Sequence, residues 1–135
     1  MYLLLLFSAA ACSKERDVLA EAPMLRKIEW HVHAFENYTQ PWLDSMTARV
    51  VVRITKIDTM NKTTQTFWDT TFAPRPIREY PLLPQKYIIE KLVPVLRQEK
   101  LQVWYNIRYE MAGAASETGR LDAVQQPFTF IDIKL

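Results

Sequence analysis

The chain has few of the residues on which several classes of functional site depend. Only two of its 135 residues are glycine and only one is cysteine. The shortage of glycine argues against phosphate-binding loops, because such loops need several glycines close together. A single cysteine excludes a disulfide within the chain, so the stability of the folded domain must come from packing.

Strong net charge and sequence motifs of catalysis are also missing. The formal net charge is only +2 and the basic residues are scattered, which argues against a nucleic-acid surface. The sequence contains no Gly-x-Ser-x-Gly elbow, no P-loop and no His-Glu-x-x-His motif. We therefore expect a protein that is not an enzyme and binds no nucleic acid, although a hydrolase built from dispersed carboxylates and histidines stays open.

The remaining composition is that of an ordinary folded domain. Hydrophobic residues make up 49% of the chain and charged residues 24%, which are typical values for soluble globular proteins. A length of 135 residues favours one domain over several.

The first residues, MYLLLLFSAAACSKERD, form a segment of their own. Residues 2–11 are apolar or small, about half of the ~20 residues that a membrane-spanning helix requires. Charge follows at once from Lys14 to Asp17. An apolar stretch followed by small residues favours a secretory signal with its cleavage site.

The tripeptide Ala9–Ala11 directly before Cys12 resembles the lipobox of bacterial lipoproteins. The Ser-Lys-Glu-Arg-Asp run after Cys12 is similar to the polar tether of Bacteroidota-type lipoproteins. This resemblance implies a signal peptide over 1–11, lipidation of Cys12 and a tether over 12–23. It also implies export to the outer membrane or cell surface, with the membrane contacted through the lipid.

From residue 24 onward the hydrophobic pattern has a period of two, which predicts β-strands. Apolar and polar residues alternate over 28–34, 48–54 and most clearly 101–111. Residues 64–72, rich in threonine and aromatics, and residues 128–135 complete the predicted strands.

Three further segments are harder to assign. Residues 84–97 fit either a strand or a helix; we favour the strand, because Pro94 would interrupt a helix and is acceptable on an edge strand. A short edge strand is expected around 77–80. The polar, glycine-containing stretch 112–127 is expected to be a loop.

About seven strands in residues 24–135 predict a single all-β domain, an antiparallel β-sandwich of immunoglobulin-like size. A small β-barrel, with or without one helix at 84–97, is the alternative. The cysteine pair of immunoglobulin domains is absent, so this prediction depends on strand number and alternation.

Two histidines form the one candidate metal site. His31 and His33 lie two residues apart on the strand over 28–34, hence on the same face, with Glu29 beside them. Two imidazoles and a carboxylate are suitable zinc ligands. We favour the alternative, a solvent-exposed strand face shared with Lys27, and expect no cofactor.

The candidate ligand-binding residues are Trp104, Asn106 and Arg108. The opposite face of strand 101–111 is already filled by apolar side chains, so the Trp104 indole is expected to point outward. An exposed tryptophan beside an amide and a guanidinium suits a sugar ring or a protein partner. The other interpretation is that a neighbouring segment covers it.

Three short motifs resemble the Bacteroidota-type O-glycosylation sequon, an aspartate followed by serine or threonine and then an apolar residue or threonine. They place candidate modification sites at Ser45, Thr59 and Thr70.

Together these features predict a lipid-anchored, exported β-module of the cell envelope that binds a protein or glycan and catalyses nothing. A structural subunit of an envelope complex is the second possibility, and a metal-dependent or carboxylate-based hydrolase the third.

Overall fold

A computed structural model describes residues 21–135 of the chain, so Cys12 and the segment around it lie outside the described residues. The strands are β1 (Met24–His33), β2 (Thr47–Asp58), β3 (Thr63–Thr71), β4 (Arg75–Pro76), β5 (Tyr87–Val95), β6 (Glu99–Met111), β7 (Ala114–Val124) and β8 (Phe128–Lys134). Two single 3-10 turns are present at Pro41–Leu43 and Ile77–Glu79. Within this part of the chain no helix is long and apolar enough to cross a membrane.

The strands form two sheets. The smaller has the order β5-β1-β8, and the larger has the order β3-β2-β6-β7 with β4 paired to the start of β2. No strand of one sheet pairs with a strand of the other within the described residues. The all-β sandwich is therefore confirmed, with eight strands where about seven were expected.

Side chains from both sheets share one core, as the alternating pattern predicts. Residues on the inner face of β1 are completely or almost completely buried, and so are their counterparts on β2. The main members are Ile28, Trp30, Val32, Val50, Val52, Ile54, Val93, Val103, Ile107 and Ile133. Burying them removes much apolar surface from water, which is the main force holding the two sheets together.

Residues 84–97 contain a strand, as favoured, and no helix. Pro94 pairs with Leu25 of β1, and β5 is an edge strand of the smaller sheet. A proline is acceptable there, because its missing N–H does not remove a bond to a second neighbour.

The prediction of a loop over 112–127 was wrong. Residues 114–124 form β7, which pairs with β6 along its whole length. Ala112 and Gly113 make a two-residue turn with positive φ at both positions, 48° and 83°. This conformation suits a tight hairpin between twisted strands.

Two smaller expectations also differ from the structure. The short strand is β4 at Arg75–Pro76, and the residues expected around 77–80 instead form a 3-10 turn. β8 runs parallel to β1, so the sandwich is not purely antiparallel.

Candidate functional site

The outer face of the smaller sheet carries a row of ionisable side chains along its central strand. Ile28, Trp30 and Val32 of β1 point into the core. Because side chains alternate along a strand, Lys27, Glu29 and His31 point the other way, toward solvent.

Large apolar side chains flank this row on both sides. β5 contributes Ile88 and Leu92 to this face, and β8 contributes Phe128 and Phe130. Together with Leu25 of β1 they are 49–63% exposed. We call these five residues the apolar face. Exposed apolar side chains grouped on one face are a common feature of interaction surfaces.

Ion pairs fix the central row of charges. Nζ of Lys27 lies 3.0 Å from carboxylate oxygens of both Glu29 and Glu90. The hydrogen bond with Glu29 is the main cause that raises the pKa of Lys27, and the bond with Glu90 adds to it. The pKa of Glu29 is lowered, chiefly by its hydrogen bond with His31 and next by Lys27.

The geometry around His31 indicates which ring nitrogen carries the proton. Nζ of Lys86 lies 3.1 Å from Nδ1 and donates to it, since an ammonium group has no acceptor. Nε2 of His31 then donates to Glu29 at 2.9 Å. The ring is therefore held between two charged neighbours.

Rings of the apolar face lie against this row. The Phe130 ring stacks on the imidazole of His31, with centroids 5.4 Å apart and an interplanar angle of 19°. Nζ of Lys27 lies 5.6 Å from the centroid of Phe128, within the range of a cation–π contact. These contacts hold the aromatic rings in place while about half of their surface stays open to solvent.

His33 corrects the expectation of a solvent-exposed strand face. The residue is buried, although it lies on the same face as His31. Its Nε2 lies 2.7 Å from Oδ1 of Asp132 and its Nδ1 lies 3.0 Å from the carbonyl oxygen of Ala34. Asp132 comes from β8, which pairs with β1, so the sheet itself provides the partner.

The same contacts bear on the candidate metal site at His31 and His33, because each histidine has its own partners. The Nε2 atoms of His31 and His33 face different carboxylates, Glu29 and Asp132, and their other nitrogens also have partners. Among residues 21–135 no three His, Cys, Asp or Glu side chains are grouped so that they could hold a metal ion.

The three candidate ligand-binding residues lie together on the outer face of the larger sheet. Trp104 points outward as expected, but it is partly buried. The guanidinium of Arg53 lies over its ring, 5.2 Å from the centroid, so one face of the indole is already covered. Asn106 pairs across the sheet with Gly119 of β7.

Arg108 is held by two carboxylates. Its Nε lies 2.6 Å from Glu110 and its Nη1 lies 3.0 Å from Glu117. The hydrogen bond with Glu110, followed by the one with Glu117, raises the pKa of Arg108. A partner would have to displace or share these carboxylates, so this surface is less open than the apolar face.

The candidate modification sites are spread over different environments. Ser45 and Thr59 lie in exposed turns. The Thr59 hydroxyl donates to the carbonyl oxygen of Gln98 at 2.7 Å. Thr70 is partly buried within β3 and pairs with Val52, which faces the core. The lipidation site Cys12 lies outside the described residues.

Sequence reasoning did not identify the apolar face. The signal was present in β8, where Phe128 and Phe130 alternate with Ile131 and Ile133, so both faces of that strand are apolar. The charged row of β1 concealed it, because only strand pairing places these phenylalanines beside Lys27.

No family model, curated protein or solved structure matches this chain.

Proposed function

We propose that this protein is a non-catalytic binding module of the bacterial cell envelope, anchored by lipid at Cys12 and docked to another envelope protein through the apolar face. The observation that carries the proposal is the grouping of five large apolar side chains, each about half exposed, on one face of one sheet. Apolar surface of this kind stabilises an association when a partner removes it from water.

The charges on this face indicate the kind of partner. Leaving the histidines aside, Lys27, Lys86 and Lys134 are balanced by Glu29, Glu90 and Asp132. The face therefore has no net charge that would attract nucleic acid or an anionic membrane surface. It suits a protein surface that is itself apolar and close to neutral.

The position of β1 supports the combination of an anchor with the apolar face. The described part of the chain enters the sandwich at Met24, the first residue of the central strand of the smaller sheet. That same sheet displays the apolar face. Cys12 directly follows the alanines that resemble a lipobox. A lipid on Cys12 would keep this face close to the membrane that carries its partner.

Lipidation of Cys12 is tested by replacement of the sulfur. We expect radioactive palmitate to label the wild-type chain and a Ser13→Ala control, and to be absent from Cys12→Ala, because acylation requires the thiol. Stable anchoring by this route needs two or more acyl chains. Labelling of Cys12→Ala at the wild-type level would contradict the anchor.

Docking is tested by photo-crosslinking in the producing cells. A photoreactive phenylalanine derivative is placed at position 130 and, as a matched control, at position 121 on the larger sheet. Phe130 and Leu121 are almost equally exposed, 60% and 58%, but Leu121 is not part of the apolar face. We expect one discrete protein adduct from position 130 and none from position 121.

Two results would contradict docking to a separate protein. Equal adducts from both positions would show that exposure alone explains the reaction. A sole adduct at twice the mass of the chain would identify a second copy in place of another envelope protein.

A further inference from the structure

A cleft opens between the two sheets beside the first residues of β5. Its volume is about 270 Å³. Its lining includes Val32 and Val50, both almost fully buried core residues, together with Phe72, Ile88 and Ile89. The interior of the cleft is therefore apolar.

One charged group stands at the exposed rim of this cleft. The guanidinium of Arg75 lies 5.0 Å from the ring centroid of Tyr87 and 5.8 Å from that of Tyr80. Its Nη1 donates to the hydroxyl oxygen of Tyr87 at 2.7 Å. The two rings hold the guanidinium in one orientation.

Arg75 is one of four arginines among residues 21–135 that form no ion pair, the others being Arg26, Arg49 and Arg97. Arg53, Arg78, Arg108 and Arg120 each form an ion pair. No carboxylate of residues 21–135 lies within ion-pair distance of Arg75. A guanidinium carries five N–H donors, so several remain for an external anion after the bond to Tyr87.

We propose that this cleft binds a small amphipathic acid, with its apolar body on Val32 and Val50 and its carboxylate on Arg75. An apolar cavity of ~150 Å³ is sufficient for a benzene ring. The cleft is larger, so it accommodates a medium-length alkyl chain or a pair of fused rings. Apolar pockets with a few fixed polar groups are the usual form of small-molecule sites.

This site goes beyond the proposed function and does not depend on it. The cleft takes a small molecule at the opening between the two sheets, whereas the apolar face takes a protein on the outside of the smaller sheet. Ile88 belongs to both, since it lines the cleft and lies on the apolar face. The two tests avoid this residue: docking is tested at Leu92 and Phe130 and the cleft at Arg75, so failure of the two proposals can be told apart.

Isothermal titration with decanoate and decanol, both kept below the concentrations at which they aggregate, tests the site on the purified full chain. We expect saturable decanoate binding at one molecule per chain. In NMR spectra, decanoate should shift the methyl resonances of Val32 and Val50. Arg75→Gln should lower the affinity for decanoate about tenfold or more, since it removes a charge-assisted hydrogen bond. Decanol affinity should change little in that variant.

The control is Arg97→Gln, which removes an exposed arginine that also has no ion pair within the described residues. It should bind decanoate like the wild type. The proposal is overturned if decanoate does not bind saturably, if Arg75→Gln binds it as tightly as the wild type, or if both arginine variants weaken it equally. Thermal unfolding of each variant verifies that it is folded.

Discussion

Replacing Trp30 with alanine is expected to lower the free energy of unfolding by about 3–5 kcal/mol, the usual cost of removing a large buried aromatic side chain. Trp30 is fully buried at the centre of β1, and its ring lies 5.7 Å from that of Trp68 across the sandwich. Domains of this kind are stable by only about 5–15 kcal/mol. We therefore expect the melting temperature, measured by circular dichroism, to fall by roughly 10–20 °C.

The matched variant is Trp30→Phe, which keeps an aromatic ring in the core. Nε1 of Trp30 is buried and has no hydrogen-bond partner among residues 21–135. An unsatisfied buried donor costs about 1–3 kcal/mol. Phenylalanine removes that donor, which offsets part of the cost of its smaller volume, so we expect a loss below about 2 kcal/mol. If Trp30→Phe lowered stability as much as Trp30→Ala, the indole N–H would have to have a partner.

Alternation along single strands was sufficient to predict much of the fold. The inner residues of β1, β2 and β6 were assigned to the core from their spacing of two. Those of β1 and β2 are buried, whereas on β6 Leu101, Val103 and Ile107 are buried and the other three are partly buried. This works because each of these strands has one face toward the core and the other toward solvent, so apolar and polar residues alternate along its sequence. Pro94 likewise indicated an edge position, and β5 is an edge strand.

β7 could not be predicted in this way. Its sequence, AASETGRLDAV, is exposed along nearly its whole length and has no apolar face. What fixes it is pairing with β6, including a close approach at Gly119. A Cβ atom there would lie 2.7 Å from the carbonyl oxygen of Tyr105, and glycine avoids this contact. A glycine in a strand often marks such an approach.

The candidate sites depend on pairings between distant segments. The apolar face combines β1, β5 and β8, and β8 lies about one hundred residues after β1. The partner of His33 is Asp132, which no local pattern connects to it. Long-range register is set by the whole sandwich, so sequence spacing identified the histidines and Glu29 but neither Asp132 nor the phenylalanines beside them.

The apolar face leads to the second large effect. We expect the double variant Leu92→Ser and Phe130→Ser to lose association with its partner by about tenfold or more, because central apolar anchors supply ~1–2 kcal/mol or more each in protein interfaces. Both side chains are more than half exposed, so their replacement should leave the melting temperature close to that of the wild type.

The most direct measurement is the fraction of the chain that migrates in a complex on native gels of detergent-extracted membranes. The control is Leu121→Ser, which removes an equally exposed apolar side chain from the other sheet. We predict that the double variant migrates almost entirely as the free chain, whereas Leu121→Ser and the wild type remain in the complex. If the double variant stays in the complex like the wild type, the apolar face is not the docking surface.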